Sequence, residues 1–328
     1  MSRLHKSGHA LGLGRLAYLL WHRPLAELVR SWREGGPINQ WITRRGRIEM
    51  VGAARCLPPL PVPPSDAPEV CFLTGRRFWY QTAFCFWSLC RHAGQPIRAV
   101  FFDDGTFDQA LRAECIRIFP GSRVEEGGEI ETRLDEGLPA ARFPILRARR
   151  LEYPHLRKLT DVHSGRHGWR LVLDSDILFF RRPDLLLAWL AAPDQPLHMV
   201  DVQDAYGYSK ALMESLAGNP IPRWLNVGVC GLRSDEIDWD RMESWCRRLQ
   251  EAEGTSYYQE QALTAMLLAG RKCRVALADD YRLMPSEDEA RSPTAAMHHY
   301  VGISKKGYFR HAWRHVADLP VPIWQAAQ

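Results

Sequence analysis

The spacing of apolar residues changes along the chain, and each change marks an expected boundary. Near the start, Leu25, Leu28, Val29 and Trp32 recur at i, i+3, i+4 and i+7 with Arg23, Arg30 and Arg33 between them, and Pro24 suits a first helical position. This predicts a short basic amphipathic helix. The run LPPLPVPPSDAP, six prolines in twelve residues, is incompatible with helix or central strand and predicts a stiff extended connector. The chain is thus expected to divide into a basic helical extension over 1–56, a Pro-rich connector over 57–68 and a body over 69–328.

Within the body the pattern alternates between short apolar runs and helical periods. Residues 69–74 (EVCFLT) read as a strand, 78–92 as a helix closed by Gly94, 97–102 as a second strand ending in Asp103-Asp104-Gly105, and 107–119 as an amphipathic helix. Residues 143–163 read as helical with interruptions at Pro144 and Pro154. Alternation of this kind argues an α/β body, a mostly parallel sheet with helices on both faces.

Candidate chemistry enters at WRLVLDSDILFF. Leu171-Val172-Leu173 has the continuous apolarity of a strand buried on both faces, and Asp174 and Asp176 follow at its C-terminal end, on one side of an extended chain. That edge of an open α/β sheet is where ligands bind, and two close carboxylates repel unless a divalent cation or basic groups such as Arg181 or Arg182 neutralise them. A second Asp-x-Asp, Asp238-Trp239-Asp240, lies in a polar run and reads as the first turn of a helix carrying Met242 and Trp245.

Charge is uneven. The net charge is +5, yet residues 1–50 alone hold nine Lys and Arg against three Glu, which leaves the body near neutral. The basic head can pack on the body or dock on an anionic membrane surface. The body lacks a basic stripe, so no nucleic acid partner is expected. No apolar run approaches the roughly 20 residues of a membrane span, and Leu16–Trp21 is too short for a secretory core. Eight cysteines without a CxxC pair point to a reducing, cytoplasmic compartment.

LVLDSDILFF followed by RRPDLL resembles the Asp-x-Asp segment of GT-A glycosyltransferases. Further segments in the same order resemble glycosyltransferase family 8, the glycogenin and lipopolysaccharide galactosyltransferase group. They are Leu73-Thr74 with Tyr80–Leu89, Lys158 sixteen residues before Asp174, Leu225-Asn226-Val227-Gly228-Val229, Tyr258-Gln259-Glu260-Gln261, and His299-Tyr300-Val301-Gly302-Ile303-Ser304-Lys305. Two departures stand out: Glu260 replaces the family's usual Asp, and Lys306-Gly307 replaces a common Pro-Trp.

The resemblance implies a GT-A fold and transfer of a sugar from a nucleotide-sugar, a UDP-sugar, to a saccharide, lipid or protein acceptor with retention. It implies a metal held by Asp174, Asp176 and His299, and a mixed oxygen and imidazole set leans toward Mn²⁺ over Mg²⁺. His298 is an alternative ligand. For the donor it implies Lys158, Asn226, Gly302 and Lys305, and the ends of the first two strands add Thr74, Asp103 and Asp104 because such a sheet delivers them to the nucleotide, although Asp103-Asp104-Gly105 reads equally well as a turn and Lys158 can instead pair with Asp161 one helical turn away. Phe78-Trp79-Tyr80 offers a stacking surface or a core. Catalytic roles fall to Gln261 and Glu260 at a helix start. Two rival readings remain at the level of sequence, an aspartate-based phosphohydrolase and a non-catalytic membrane-peripheral protein that retains a transferase-like fold.

Overall fold

The computed structural model describes residues 36–322, so the helix expected around Leu25–Trp32 lies outside the described residues. The first element is helix α1, Pro37–Arg55, which starts with proline at its first position. Its buried residues, Gly46, Met50 and Ala54, fall four apart and form one inward seam. The Pro-rich stretch that follows has no regular structure, but Leu57 and Leu60 are buried, and the Leu60 N–H donates to the Ile118 carbonyl at 2.8 Å. Helix α1 and the connector thus lie directly on the body.

Strand β1 is Glu69–Thr74, with Val70 and Phe72 in the core on one face of the sheet and Cys71 in the core on the other. Helix α2, Trp79–Ala93, ends in a left-handed Gly94 at φ 66°, a conformation that glycine adopts without steric cost. Trp79 and Tyr80 are buried in the core, so these two do not form a solvent-facing stacking surface. Strand β2, Arg98–Asp103, pairs parallel to β1 with Thr74 opposite Asp103. Helix α3, Gln109–Ile118, is capped by the Asp108 carboxylate, which accepts from the Leu111 N–H. Strand β3, Arg123–Glu125, then joins the outer side of β2, and helix α4 is Gly127–Gly137.

Two proline-started pieces follow, α5 over Pro144–Glu152 and a 3₁₀ turn at Pro154–Leu156 that leads into α6, Arg157–His163. Strand β4, Trp169–Leu173, pairs parallel to β1. Strand β5 is Ile177–Phe179 and helix α7 Asp184–Ala191. Strand β6, Leu197–Val200, is followed by α8, Lys210–Ala217, and by the long strand β7, Leu225–Arg233. Helices α9, Trp239–Glu253, and α10, Gln259–Leu267, precede β8, Arg274–Ala276, and β9, Tyr281–Leu283. Helix α11 is Glu287–Arg291, strand β10 is Met297–His299, and a chain of short helical turns runs over residues 302–317.

The described residues form a seven-stranded sheet in the order β3-β2-β1-β4-β7-β6-β8 and a three-stranded sheet β5-β10-β9. In the large sheet β7 runs antiparallel to both its neighbours, and the remaining pairings are parallel. This has a direct consequence for the site. The C-terminal ends of β4 and β6 and the N-terminal end of β7 meet at one edge, which gathers Asp174, Asp201 and Asn226. The small sheet completes that edge, because β10 pairs with β5 so that His299 lies opposite Ile177. Helices cover both faces, with separate apolar clusters built on Phe72, Phe84 and Trp87 and on Leu134, Val172 and Trp245.

Candidate active site

Three groups converge after β4. The Nε2 of His299 stands 3.1 Å from Asp176 Oδ1 and 3.5 Å from Asp174 Oδ2, and one donor atom from each of the three lies within 4.8 Å of the others. The opposite edge of the imidazole rests on β7: a Cβ at Gly228 would stand 2.3 Å from its Nδ1. Gly228 is therefore the residue that lets His299 approach. Neither Arg181 nor Arg182 reaches the carboxylates, since Arg181 pairs with Asp280 and Arg182 with Asp184. The cationic partners are lysines. Lys158 Nζ stands 2.7 Å from Asp174 Oδ1 and 3.0 Å from Glu260 Oε2, and Lys305 Nζ stands 3.0 Å from Asp176 Oδ2. Asp161 is held by Arg150 at 2.5 and 2.8 Å, so it is not the partner of Lys158.

Charge balance follows from this packing. Burial raises the Asp176 carboxyl, but His299 and Lys305 outweigh it and hold the group well below the usual carboxylate range. Burial pulls the Lys158 ammonium down, yet Asp174 and Glu260 together drive it up. Glu260 goes the other way. Its burial, opposed by Lys158 and reinforced by the charge of Asp174, pushes the carboxyl up to about 7. His298 is not in the cluster: its Nδ1 is 2.8 Å from the Tyr300 hydroxyl and its Nε2 is 2.9 Å from Glu289, which makes it a core residue beneath the site.

A cleft of about 490 Å³ opens beside the cluster, lined by Lys158, Asp174, Asn226, Glu260, Gln261, His299 and Gly302 among others. One residue organises its floor. Asp201 Oδ2 accepts from the side-chain amides of Asn226 at 2.8 Å and Gln261 at 3.2 Å. The Gln261 amide nitrogen also donates to the Ala205 carbonyl at 2.8 Å, so its carbonyl oxygen is the end left to face the cleft. The Asn226 carbonyl oxygen accepts from the Gly228 N–H at 2.9 Å. Tyr153, Tyr257 and Tyr258 add an aromatic wall.

No protein-family model and no curated protein sequence matches this chain. Among solved structures it is similar to the bifunctional glycosyltransferase WbbM, at 10% identity and a TM-score of 0.50, over 80% of this chain and 51% of that one. Others on the same fold are the galactosyltransferase LgtC with donor and acceptor sugar analogues, at 17% identity and TM-score 0.49 over 77% of this chain and 97% of that one, and mouse xyloside xylosyltransferase 1, at 10% and 0.47 over 71% and 97%. The fold is GT-A. At such identities the comparison speaks for the fold alone, so what the GT-A edge does chemically has to be read from its side chains.

Most of the residues singled out by sequence meet at this edge: Asp176 and Lys305 stand in the charged cluster beside the cleft rather than in its lining, whereas Thr74, Asp103 and Asp104 belong to neither. Thr74 is buried, and its hydroxyl is 2.6 Å from that of Thr82, which is in turn 2.8 Å from the Ser175 hydroxyl. This chain of hydroxyls ties the end of β1 to the loop between the two aspartates. Asp103 Oδ1 accepts from the backbone N–H groups of Gly105, Thr106 and Phe107, and Asp104 Oδ1 accepts from Thr106, so both acids build the turn after β2. Asp238 caps α9 through the Arg241 N–H, and Asp240 pairs with Arg142. Asp201 is the cleft position that local patterns leave unmarked, and Gly228, although it stands in the segment Leu225–Val229, carries no expected role there. The one signal for Asp201 is an acid after the short apolar run Leu197–Val200, the same syntax as Asp174 after β4.

Proposed function

We propose that this protein is a divalent-cation-dependent glycosyltransferase that moves a sugar from a nucleotide-sugar, a UDP-sugar, to a saccharide, lipid or protein acceptor with retention of configuration. The observation that carries the reading is the convergence of Asp174, Asp176 and His299 at the sheet edge, beside a cleft that presents the Gln261 amide oxygen. Two carboxylates and an imidazole nitrogen fit a divalent cation by number, charge and donor type, and Mn²⁺ suits the mixed set better than Mg²⁺. When bound, such an ion supplies positive charge against the diphosphate leaving group.

The chain's own residues account for the rest. Lys305 brings an ammonium to the same point and can pass from Asp176 to a phosphate oxygen, while Gly302, at φ 52°, keeps that turn free of a side chain. Lys158 holds Asp174 and Glu260 in place from beneath. Asp201 fixes both amides, so Asn226 is set to meet a sugar hydroxyl and Gln261 to stabilise positive charge developing on the sugar ring. Thr74 and the Asp103-Asp104 turn shape the neighbouring strand ends that receive the nucleoside. Glu260 is a poor covalent nucleophile, because burial pushes its carboxyl toward the neutral form and one oxygen is engaged by Lys158. Front-face attack therefore fits better than double displacement: the bond from the anomeric carbon to the diphosphate breaks, the acceptor oxygen bonds to that carbon on the same face, and the diphosphate takes the acceptor's proton.

The test is a thermal-shift panel of nucleotide-sugars with and without Mn²⁺, in which a ligand of the native state raises the melting temperature by mass action. A shift confined to UDP-sugars plus cation supports the reading. No shift with any nucleotide-sugar, or release of phosphate from a simple phosphomonoester, overturns it. Retention is read separately by NMR of the first-formed product, where an inverted anomeric centre would rule out the front-face step.

A further inference from the structure

We propose that the outer face of α1 is a docking surface for an anionic lipid membrane. Its inner face is fixed first. A Cβ on Gly46 would stand 2.1 Å from the Phe309 carbonyl oxygen, so α1 lies directly on the backbone of the C-terminal turns, and Met50 and Ala54 continue the seam into the core. Arg310 donates to the Asn39 carbonyl and to the Thr43 hydroxyl, each at 2.8 Å, and Arg47 lies over the rings of Tyr80 and Phe309. With that side committed, the helical rotation places Trp41 and Ile48 on the opposite side, Ile38 on the flank next to them, and Ile42 at the border between that flank and the seam. In that order they are 59, 64, 75 and 39% exposed. A surface helix ordinarily turns its apolar stripe to the core, and here a stripe faces outward.

Charge selects the occupant. Arg44, Arg45 and Arg55 are exposed on α1, and its one acid, Glu49, is already paired with Arg45 and Arg314. Apolar side chains bordered by arginines match the headgroup boundary of an anionic bilayer. Other covers meet like charge. The chain ahead of α1 carries six Lys and Arg against Glu27 and Glu34, so folding it back on this face would press positive groups together, as would pairing α1 with the α1 of a second copy. An anionic sheet neutralises both segments at once. The inference is independent of which sugar the cleft transfers.

The experiment is cosedimentation of the full chain with vesicles of phosphatidylcholine alone and with about 30% phosphatidylglycerol. Binding is expected to the anionic vesicles only, and to weaken in about 0.5 M salt. Trp41→Glu and Ile48→Glu are expected to lower partitioning about tenfold each. Leu277→Glu, which alters a residue of similar exposure elsewhere, should leave it unchanged. All three variants should melt within about 2 °C of the wild type, because open surface positions contribute little to stability. The proposal is overturned if Trp41→Glu and Ile48→Glu bind as well as wild type. It is equally overturned if they melt far below it, which would mean that residues 1–35 cover the stripe, or if they disperse a dimer, which would mean a second copy does.

Discussion

At the scale of single residues, the site depends on charge and on one absent side chain. Asp174→Asn and Asp176→Asn keep shape but lose the charge that attracts a cation, so each should fold normally and lose Mn²⁺-dependent UDP binding. Unchanged turnover by either variant in chelated buffer would remove the cation from the account. Gly228→Ala forces a Cβ to within 2.3 Å of His299 and should displace the imidazole, at an overpacking cost of about 1–3 kcal/mol, with UDP binding in Mn²⁺ weakened more than the fold. Cooperative unfolding together with wild-type UDP affinity would contradict the placement of His299. Gln261→Ala should lower kcat by about 10- to 100-fold with donor affinity little changed, and Asp201→Asn should follow it in kcat because the amide loses its anchor. Steady-state kinetics at varied donor separate these outcomes from a simple binding defect. Of these residues Asp174 and Asp176 are legible in sequence, since an unbroken apolar strand points at them. Gly228 stands in a family-like segment, but its reason does not show there, because it is a ring contributed by β10 far along the chain. Asp201 is concealed by the shortness of β6, whose four residues include a histidine.

At the scale of elements, legibility follows how local the cause is. Strand β1 occupies the span its apolar run predicts, and α2 ends at its left-handed glycine, because strand apolarity and capping are encoded within a few residues. The small sheet β5-β10-β9 is invisible in the sequence. Its strands have three residues each and owe their existence to pairing with one another and to the packing of the loops around them. The turn after β2 shows the reverse case, a pair of acids that could serve a ligand and instead cap their own backbone. Helix α6 carries a pH prediction. At its end His163 is buried, with Nδ1 2.9 Å from the Ser234 hydroxyl, and burial together with the nearby Arg170 lowers its pKa to about 3. A histidine that stays neutral in the fold but protonates near 6.5 when unfolded makes the unfolded chain bind more protons between those values. Stability is then full above about pH 6.5 and falls as pH drops toward 3, by about 2 kcal/mol at pH 5 from this group. Urea unfolding at pH 7.5 and 5 should show a smaller drop for His163→Gln than for wild type; equal drops would show that the histidine charges freely in the fold.

At the scale of the whole molecule, the GT-A sheet brings groups from distant parts of the sequence to one edge, and the apolar clusters on its two faces hold that edge rigid. Among the described residues no helix is long and apolar enough to cross a membrane. Helix α1 and the connector are not appended to the sheet at a distance, since Met50, Ala54, Leu57 and Leu60 all contribute to the core beside α2. A chain begun near Pro64 should therefore lose stability, whereas one begun at Gly36 should melt as the full chain does; if both melt alike, α1 contributes nothing to the fold. The cation-dependent nucleotide site remains the central claim. It is tested most directly by calorimetric titration of UDP into the wild type and Asp176→Asn, each in Mn²⁺ and in EDTA. The account predicts at least about tenfold tighter UDP binding in Mn²⁺ for the wild type and no such difference for Asp176→Asn. Equal UDP affinity with and without the cation in the wild type, or no UDP binding in either, would contradict it.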